Sequence, residues 1–106
     1  MAKYLVTASY TAEGLRGLAK DKASGRKAAI EAALKPLGGK LESVYYAFGD
    51  TDVFVVCDFP DNVSAAALGL AVSATGMVRT RTIPLLTIEE VDAALGKSVG
   101  YRAPGA

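Results

Sequence analysis

Histidine and tryptophan are absent from this 106-residue chain, and cysteine occurs once, at Cys57. Without histidine, the chain lacks the side chain of the usual zinc, copper and haem sites, of Ser-His-Asp and Cys-His catalysis and of pH switches near neutrality. A single cysteine excludes an internal disulfide, and its place in the apolar run from Val53 to Cys57 indicates a buried residue rather than a nucleophile. We therefore expect no metal and no cofactor, which leaves Asp, Tyr and Arg side chains for any chemistry.

Long apolar runs and a large net charge are also missing. No apolar stretch approaches the roughly 18 residues of a membrane span, and the N-terminus lacks a signal-peptide pattern, so we expect a cytoplasmic protein with no membrane partner. A net charge of +1 provides no general attraction to nucleic acid, and none is expected as a partner. The charges are nevertheless segregated. The segment Arg16 to Lys40 has seven basic and two acidic residues (+5), and Glu42 to Asp61 has five acidic residues and no basic one (−5). These patches are either solvated surface or devices that set the register between subunits.

Hydrophobic periodicity and turn residues predict four strands and three helices. The predicted strands are Lys3–Tyr10, Leu41–Phe48, Asp52–Phe59 and Met77–Leu86, with Pro84 marking an edge strand or a bulge. The first helix begins after Thr11, is interrupted by a loop or kink between Asp21 and Gly25, and ends at Gly38-Gly39. The second helix is capped by Asp61 or Asn62 and ends at Gly76. A capping box, Thr87 to Glu90, opens a short third helix.

The element order predicts an α+β fold with the ferredoxin-like β-α-β-β-α-β topology, in which both long helices cover one face of a four-stranded antiparallel sheet. The second helix is predicted to carry Val63, Ala67, Leu70, Ala71 and Ala74 on one apolar face, and the last helix to turn Ile88, Val91 and Leu95 inward. Strand two places Val44, Tyr46 and Phe48 on one side and Leu41, Tyr45 and Ala47 on the other. Strand three is apolar on both sides.

An uncovered sheet face this apolar is expected to pack against another sheet, so the sequence predicts a homodimer or higher homo-oligomer. Residues 1–96 are expected to form a single domain. Residues 97–106 are expected to be a tail that becomes ordered on a partner surface.

Three segments carry a resemblance to a known family. They are KYLVTASYTAEGLRGL, GGKLESVYYAFGDTDVFVV followed by Asp58-Phe59-Pro60-Asp61-Asn62, and ATGMVRTRTIPLL. In this order they resemble the GYD domain family, over about residues 3–88. The resemblance implies a dimeric α/β barrel, in which two ferredoxin-like subunits pack their sheets face to face, and it implies no activity. The family signature is Gly-Tyr-Asp. Here Thr51 stands in Gly49-Asp50-Thr51-Asp52 where the tyrosine is expected, so a role that needs that phenol is not carried over.

The topology collects polar residues at one end of the sheet, where strands one and two finish and strands three and four begin. Candidate ligand-binding residues at this end are Tyr10, Tyr46, Asp50, Asp52 and Arg79. Asp50 or Asp52 would be the base, Arg79 the anion partner, and Tyr10 or Tyr46 a hydrogen-bond donor. Structural roles compete with each: turn formation for Asp50, an ion pair between Asp52 and Arg79 at the barrel mouth or a subunit contact, and core or interface packing for the tyrosines.

Three functions fit these observations. The first is a homo-oligomer that binds a small organic ligand in an α/β-barrel cavity. The second is a cofactor-independent enzyme, resembling a monooxygenase or isomerase, that acts on an aromatic substrate. The third is a structural module that only self-associates. Fold alone does not choose between them, because one fold hosts many activities.

Overall fold

The computed structural model describes residues 1–106 and contains four strands and three helices. The strands are β1 (Ala2–Tyr10), β2 (Lys40–Tyr46), β3 (Val53–Phe59) and β4 (Val78–Leu85). The helices are α1 (Ala12–Leu34), α2 (Asn62–Ser73) and α3 (Ile88–Leu95), and a 3₁₀ turn (Lys35–Leu37) follows α1. This order confirms the predicted α+β, ferredoxin-like arrangement.

The strands form one antiparallel sheet in the order β2-β3-β1-β4. Right-handed crossovers place α1 and α2 on the same side, which we call the inner face, and leave the opposite side as the open face. Pro84 lies in the edge strand β4, as predicted, where its missing N–H interrupts no central ladder. Each helix begins at a predicted capping residue: Thr11, Asp61 and Thr87 each accept a hydrogen bond from the backbone N–H three residues on.

The core lies between the inner face and the two long helices. Its buried residues are Tyr4, Val6, Leu34, Val53, Val55, Cys57, Phe59 and Ala65. The rings of Tyr4 and Phe59 pack edge to face, with centroids 5.6 Å apart. Cys57 is buried as predicted, and burial raises the pKa of its thiol to about 11. At neutral pH this thiol is protonated, so Cys57 acts as a packing residue.

A bulge in β2 changes which of its side chains face the core. The register against β3 shifts between Leu41 and Ser43. Leu41 pairs with Cys57 and Val44 pairs with Val55, so Leu41 and Val44 both lie on the inner face. The prediction that Leu41 shares a face with Tyr45 was wrong, because the extra residue of the bulge shifts the alternation by one.

The predicted end of the second strand was also wrong. β2 ends at Tyr46, and Phe48 lies in the hairpin between β2 and β3, fully exposed to solvent. Residues 48–50 bend away from the strand direction, and Gly49 has φ 119°, a conformation outside the strand region, so the strand ends two residues before the predicted boundary.

The apolar centre of the open face is confirmed. Its apolar side chains are Leu5, Tyr45, Phe54, Val56, Ile83 and Leu85. Tyr45 is opposite Phe54, and Leu5 is flanked by Val56 and Ile83. The packing of a second sheet on this face stays a prediction.

Two predicted helix faces were wrong. In α2, Ala65 and Leu68 pack toward the core, whereas Val63 and Leu70 are 79% and 72% exposed. α2 is apolar all round, so its pattern does not distinguish an inner from an outer side. In α3, none of the residues Ile88, Val91 and Leu95 is buried, because the helix has no extensive contact with the sheet or with another helix.

The predicted interruption of the first helix is a kink at Lys22, whose φ of 67° and ψ of 163° are not helical. The kink divides α1 into an N-terminal half, which follows Tyr10, and a C-terminal half, which carries Ile30 and Leu34 onto the core. None of the helices combines the length and the apolar character needed to cross a bilayer.

Candidate functional site

Two of the predicted tyrosines meet beneath the sheet. Tyr10, the last residue of β1, and Tyr46, the last residue of β2, both lie on the inner face. Their hydroxyl oxygens are 3.4 Å apart, within reach of a long hydrogen bond. Burial, with the contact to the Tyr10 hydroxyl, raises the pKa of Tyr46, against the opposing effect of the Arg26 charge. Tyr46 is therefore a neutral hydrogen-bond donor at physiological pH, and it is not a base.

The two predicted aspartates hold the hairpin against β1. Asp52 Oδ2 accepts a hydrogen bond of 2.8 Å from the backbone N–H of Tyr10, and its own N–H donates to the carbonyl of Ala8 at 2.9 Å. The carbonyl oxygen of Asp50 accepts from Ser9 Oγ at 2.6 Å. These bonds give both residues a structural role at the end of the sheet.

Arg79 lies on the opposite side of the sheet from the tyrosines. It pairs with Ser9 in the ladder between β1 and β4, and its side chain is on the open face. The ion pairs in the chain are Lys3 with Glu42, Lys3 with Asp58, and Arg26 with Asp21. Asp52 and Arg79 are therefore not paired. Arg79 and Tyr10 both border a groove of about 520 Å³ at this end, which is shallow and mostly polar.

An apolar cavity of about 100 Å³, which we call the inner cavity, lies between the sheet and the two long helices. Its lining residues on the sheet include Val6, Ala8, Val53 and Val55, and those on the helices include Ala29, Ile30, Leu68 and Val72. Only three polar side chains reach it, those of Tyr10, Arg26 and Thr80. A mainly apolar wall with a few polar groups is the usual composition of a small-molecule site.

A second cavity of about 200 Å³, the outer cavity, adjoins the first. It extends between α1 and the end of α2, along Gly14, Gly17, Asp21 and Thr75. Both cavities share four lining residues: Tyr10, Arg26, Val72 and Val78. The molecule thus has an apolar inner space connected to a more polar outer one, with a phenol and a guanidinium at the junction.

Arg26 is the residue of this site that the sequence prediction missed. It forms one contact of 3.5 Å with Asp21, a partly exposed ion pair that holds the guanidinium weakly. The sequence around Arg26 could have indicated this place. Ala29, Ile30 and Ala33 follow it at i+3, i+4 and i+7, so Arg26 lies on the apolar stripe of the helix. A charged residue on a stripe that faces the core needs a polar partner or a ligand.

No group of three or more Cys, Asp and Glu side chains is arranged to hold a metal ion. The topology, the single helix-covered sheet face and the cavity beneath it define an α+β protein of the ferredoxin-like class. The chain belongs to the GYD domain family, whose model matches residues 4–95. Comparison with curated proteins and with solved structures finds no match.

Proposed function

We propose that this protein binds a small organic molecule whose apolar part enters the inner cavity and whose anionic group meets Arg26. The observation that carries the proposal is the pair of adjoining cavities with Arg26 and Tyr10 at their junction. For comparison, an apolar cavity of about 150 Å³ accommodates benzene. The inner cavity, at about 100 Å³, is smaller than this, so it takes a short aliphatic chain or part of a ring, and the outer cavity of about 200 Å³ has room for the rest of the ligand and its polar end.

The two polar groups at the junction, and Tyr46 behind one of them, have complementary roles in this proposal. The Arg26 guanidinium supplies positive charge and a planar set of donors for a carboxylate. Tyr10 lines the same two cavities as Arg26, and Tyr46, kept neutral by its raised pKa, can donate to the Tyr10 hydroxyl. Of the residues predicted from sequence, Tyr10 lines both cavities, and Tyr46 contacts the site only through the Tyr10 hydroxyl. Tyr46, Asp50, Asp52 and Arg79 line neither cavity.

Replacing Arg26 with glutamine is expected to weaken benzoate binding about tenfold or more, because a charge-assisted hydrogen bond contributes about 1.5–3 kcal/mol. Binding of benzyl alcohol, which has the ring without the charge, is expected to change less than about twofold. Isothermal titration calorimetry measures both ligands. Lys27→Gln is the matched control, since Lys27 is an exposed neighbour that lines neither cavity.

A second variant tests the inner cavity itself. Ala29→Phe places a ring where Ala29 now lines the cavity, so neither benzoate nor benzyl alcohol should bind. Binding of neither compound to the unaltered protein would contradict the proposal. Equal benzoate affinity in the unaltered and Arg26→Gln proteins would remove Arg26 from the site and leave only the apolar cavity.

We also propose that the protein is a homodimer whose sheets pack face to face, and the exposed apolar residues of the open face support this. Tyr45 is 72% exposed, and Phe54 and Ile83 beside β1 are also exposed, which is costly for an apolar patch in water. A second copy offers the same patch, so a two-fold interface covers both at once. The cytoplasmic location predicted from the sequence is kept as part of this proposal.

Phe54→Lys is expected to shift the protein from dimer to monomer at micromolar concentration, because it buries an unpaired charge in the interface. Sedimentation velocity measures the change. Val63→Lys, on the exposed outer side of α2, is the matched control and should remain dimeric. If the unaltered protein sediments as a monomer, the proposed dimer is wrong, whereas the ligand-binding proposal is unaffected.

The enzymatic alternative has less support from the site. No carboxylate lines the inner cavity, and Tyr46 is held in its neutral form. A proton-abstracting mechanism would therefore have to use Asp21 in the outer cavity, where it already contacts Arg26. Pure self-assembly, the third alternative, is the outcome if the protein dimerises and binds neither probe.

A further inference from the structure

The last segment of the chain, residues 86–106, is exposed at every residue, and we call it the C-terminal arm. The chain has a radius of gyration of 16.9 Å and a longest extent of 56 Å. A compact domain of this length would have a radius of about 13 Å. None of the buried core residues comes from the arm. The arm is therefore folded locally but has no packing surface within its own chain.

Helix α3 in this arm is well formed yet unsupported. Its capping box is complete: Thr87 Oγ1 accepts from Glu90 N, and Glu90 Oε1 accepts from Thr87 N. An isolated helix of eight residues is marginal in water and gains most of its stability by packing an apolar face. Ile88, Val91 and Leu95 form such a face at i, i+3 and i+7, and Ile88 and Leu95 are 76% and 78% exposed.

The charges of α3 and of β4 are complementary. At 100° per residue, Glu89 and Asp92 lie along one border of the apolar face of α3. Arg79 and Arg81 lie on β4 at the border of the apolar open face, and neither forms an ion pair within the chain. Each surface thus combines an apolar stripe with charges of one sign beside it.

The exposed apolar surface of the arm supports the same pairing. A stable interface of standard size buries about 800 Å² of accessible surface on each partner. The arm would add six exposed apolar side chains to the interface formed by the open face. They are Leu86, Ile88, Val91, Leu95, Val99 and Tyr101.

We infer that the C-terminal arm of each subunit packs along the β4 edge of the open face of a second copy, with Glu89 and Asp92 against Arg79 and Arg81. This inference rests on the proposed homodimer and adds the arm to its interface. The apolar face of α3 is buried against Ile83 and its neighbours on the partner. The arm then becomes ordered by the partner subunit, as expected for the tail from sequence.

The first test replaces one exposed leucine in the full-length protein. Leu95→Lys is expected to raise the dimer dissociation constant about tenfold or more, because it removes an apolar contact and adds positive charge near Arg79 and Arg81. Sedimentation equilibrium measures the constant. Leu70→Lys is the matched control: Leu70 is 72% exposed, against 78% for Leu95, but lies on α2. Its dissociation constant should stay within about twofold of the unaltered value.

The second test identifies the surface that the arm contacts. The double variant Arg79→Glu, Arg81→Glu is expected to weaken the dimer about tenfold or more through repulsion from Glu89 and Asp92. Adding Glu89→Arg and Asp92→Arg to it should restore most of the affinity, because the charges are then exchanged rather than removed.

The results of these tests distinguish failure of the arm contact from failure of the proposed homodimer. A monomeric unaltered protein would overturn both. A dimer whose affinity is unchanged by Leu95→Lys would overturn the arm contact and leave the sheet-to-sheet dimer standing. A dimer that is weakened by Leu95→Lys but not restored by the charge exchange would overturn the placement of the arm at Arg79 and Arg81.

Discussion

Replacing Phe59 with alanine is expected to lower the free energy of unfolding by about 3–5 kcal/mol, the usual cost of removing a buried phenylalanine. Phe59 has no solvent exposure, and its ring packs edge to face with Tyr4 at a centroid distance of 5.6 Å. Part of the expected loss, about 0.5–1.5 kcal/mol, comes from that aromatic pair. The rest comes from the lost burial and from the cavity that the missing ring leaves.

Urea denaturation at a fixed protein concentration measures this loss, since the stability of a dimer depends on concentration. Phe48→Ala is the matched control. It deletes the same ring from a fully exposed position in the hairpin, and its effect should stay within about 0.5 kcal/mol. Similar losses in the two variants would show that Phe59 is not the centre of the core.

Gly14→Ala is expected to destabilise the protein by about 3 kcal/mol, at the upper end of the cost of overpacking. A Cβ at Gly14 would lie 2.1 Å from the carbonyl oxygen of Met77, much closer than two non-bonded atoms can approach. That oxygen accepts hydrogen bonds from Thr11 N at 2.9 Å and Thr11 Oγ1 at 3.1 Å. Making room for the methyl group therefore pulls the start of α1 away from the loop before β4.

Gly17→Ala provides the control for this prediction, because Gly17 lies on the same half of α1 and a Cβ there meets no atom within 4 Å. Alanine has the higher helix propensity, so this variant should gain up to about 1 kcal/mol. Thermal unfolding followed by circular dichroism compares the two. Melting temperatures that agree within a degree or two would contradict the close approach of α1 to Met77.

The local rules of the chain made much of the fold predictable. Thr11, Asp61 and Thr87 cap the three helices where the pattern places them, because a cap depends only on residues within one turn. The kink at Lys22 falls in the polar interruption of the helical pattern. The predicted side-chain orientations were wrong where the local sequence pattern is ambiguous. The bulge beside Leu41 inverts the alternation of β2, and α2 is apolar on all sides.

The candidate site was only partly predictable. Tyr10 and Tyr46 were correctly assigned to one end of the sheet, and the structure brings their hydroxyl groups together. Arg79 was grouped with them because β4 begins at the end of the sheet where β1 and β2 finish, but alternation along β4 turns its side chain to the open face. Arg26 comes from a helix that crosses the inner face, and its distance from Tyr10 depends on how that helix packs.

By itself, the sequence determined the elements, their order and the absence of histidine chemistry, because these depend on residue type and on spacing within a few positions. The missing histidine leaves Asp, Tyr and Arg side chains for any chemistry, and the proposed site uses Tyr10 and Arg26. Only the tertiary structure decided which side chains face the inner cavity. It also decided that the apolar face of α3 packs against no other part of its own chain. Those facts follow from the packing of segments far apart in the chain, where burial of apolar area, and not local preference, selects the arrangement.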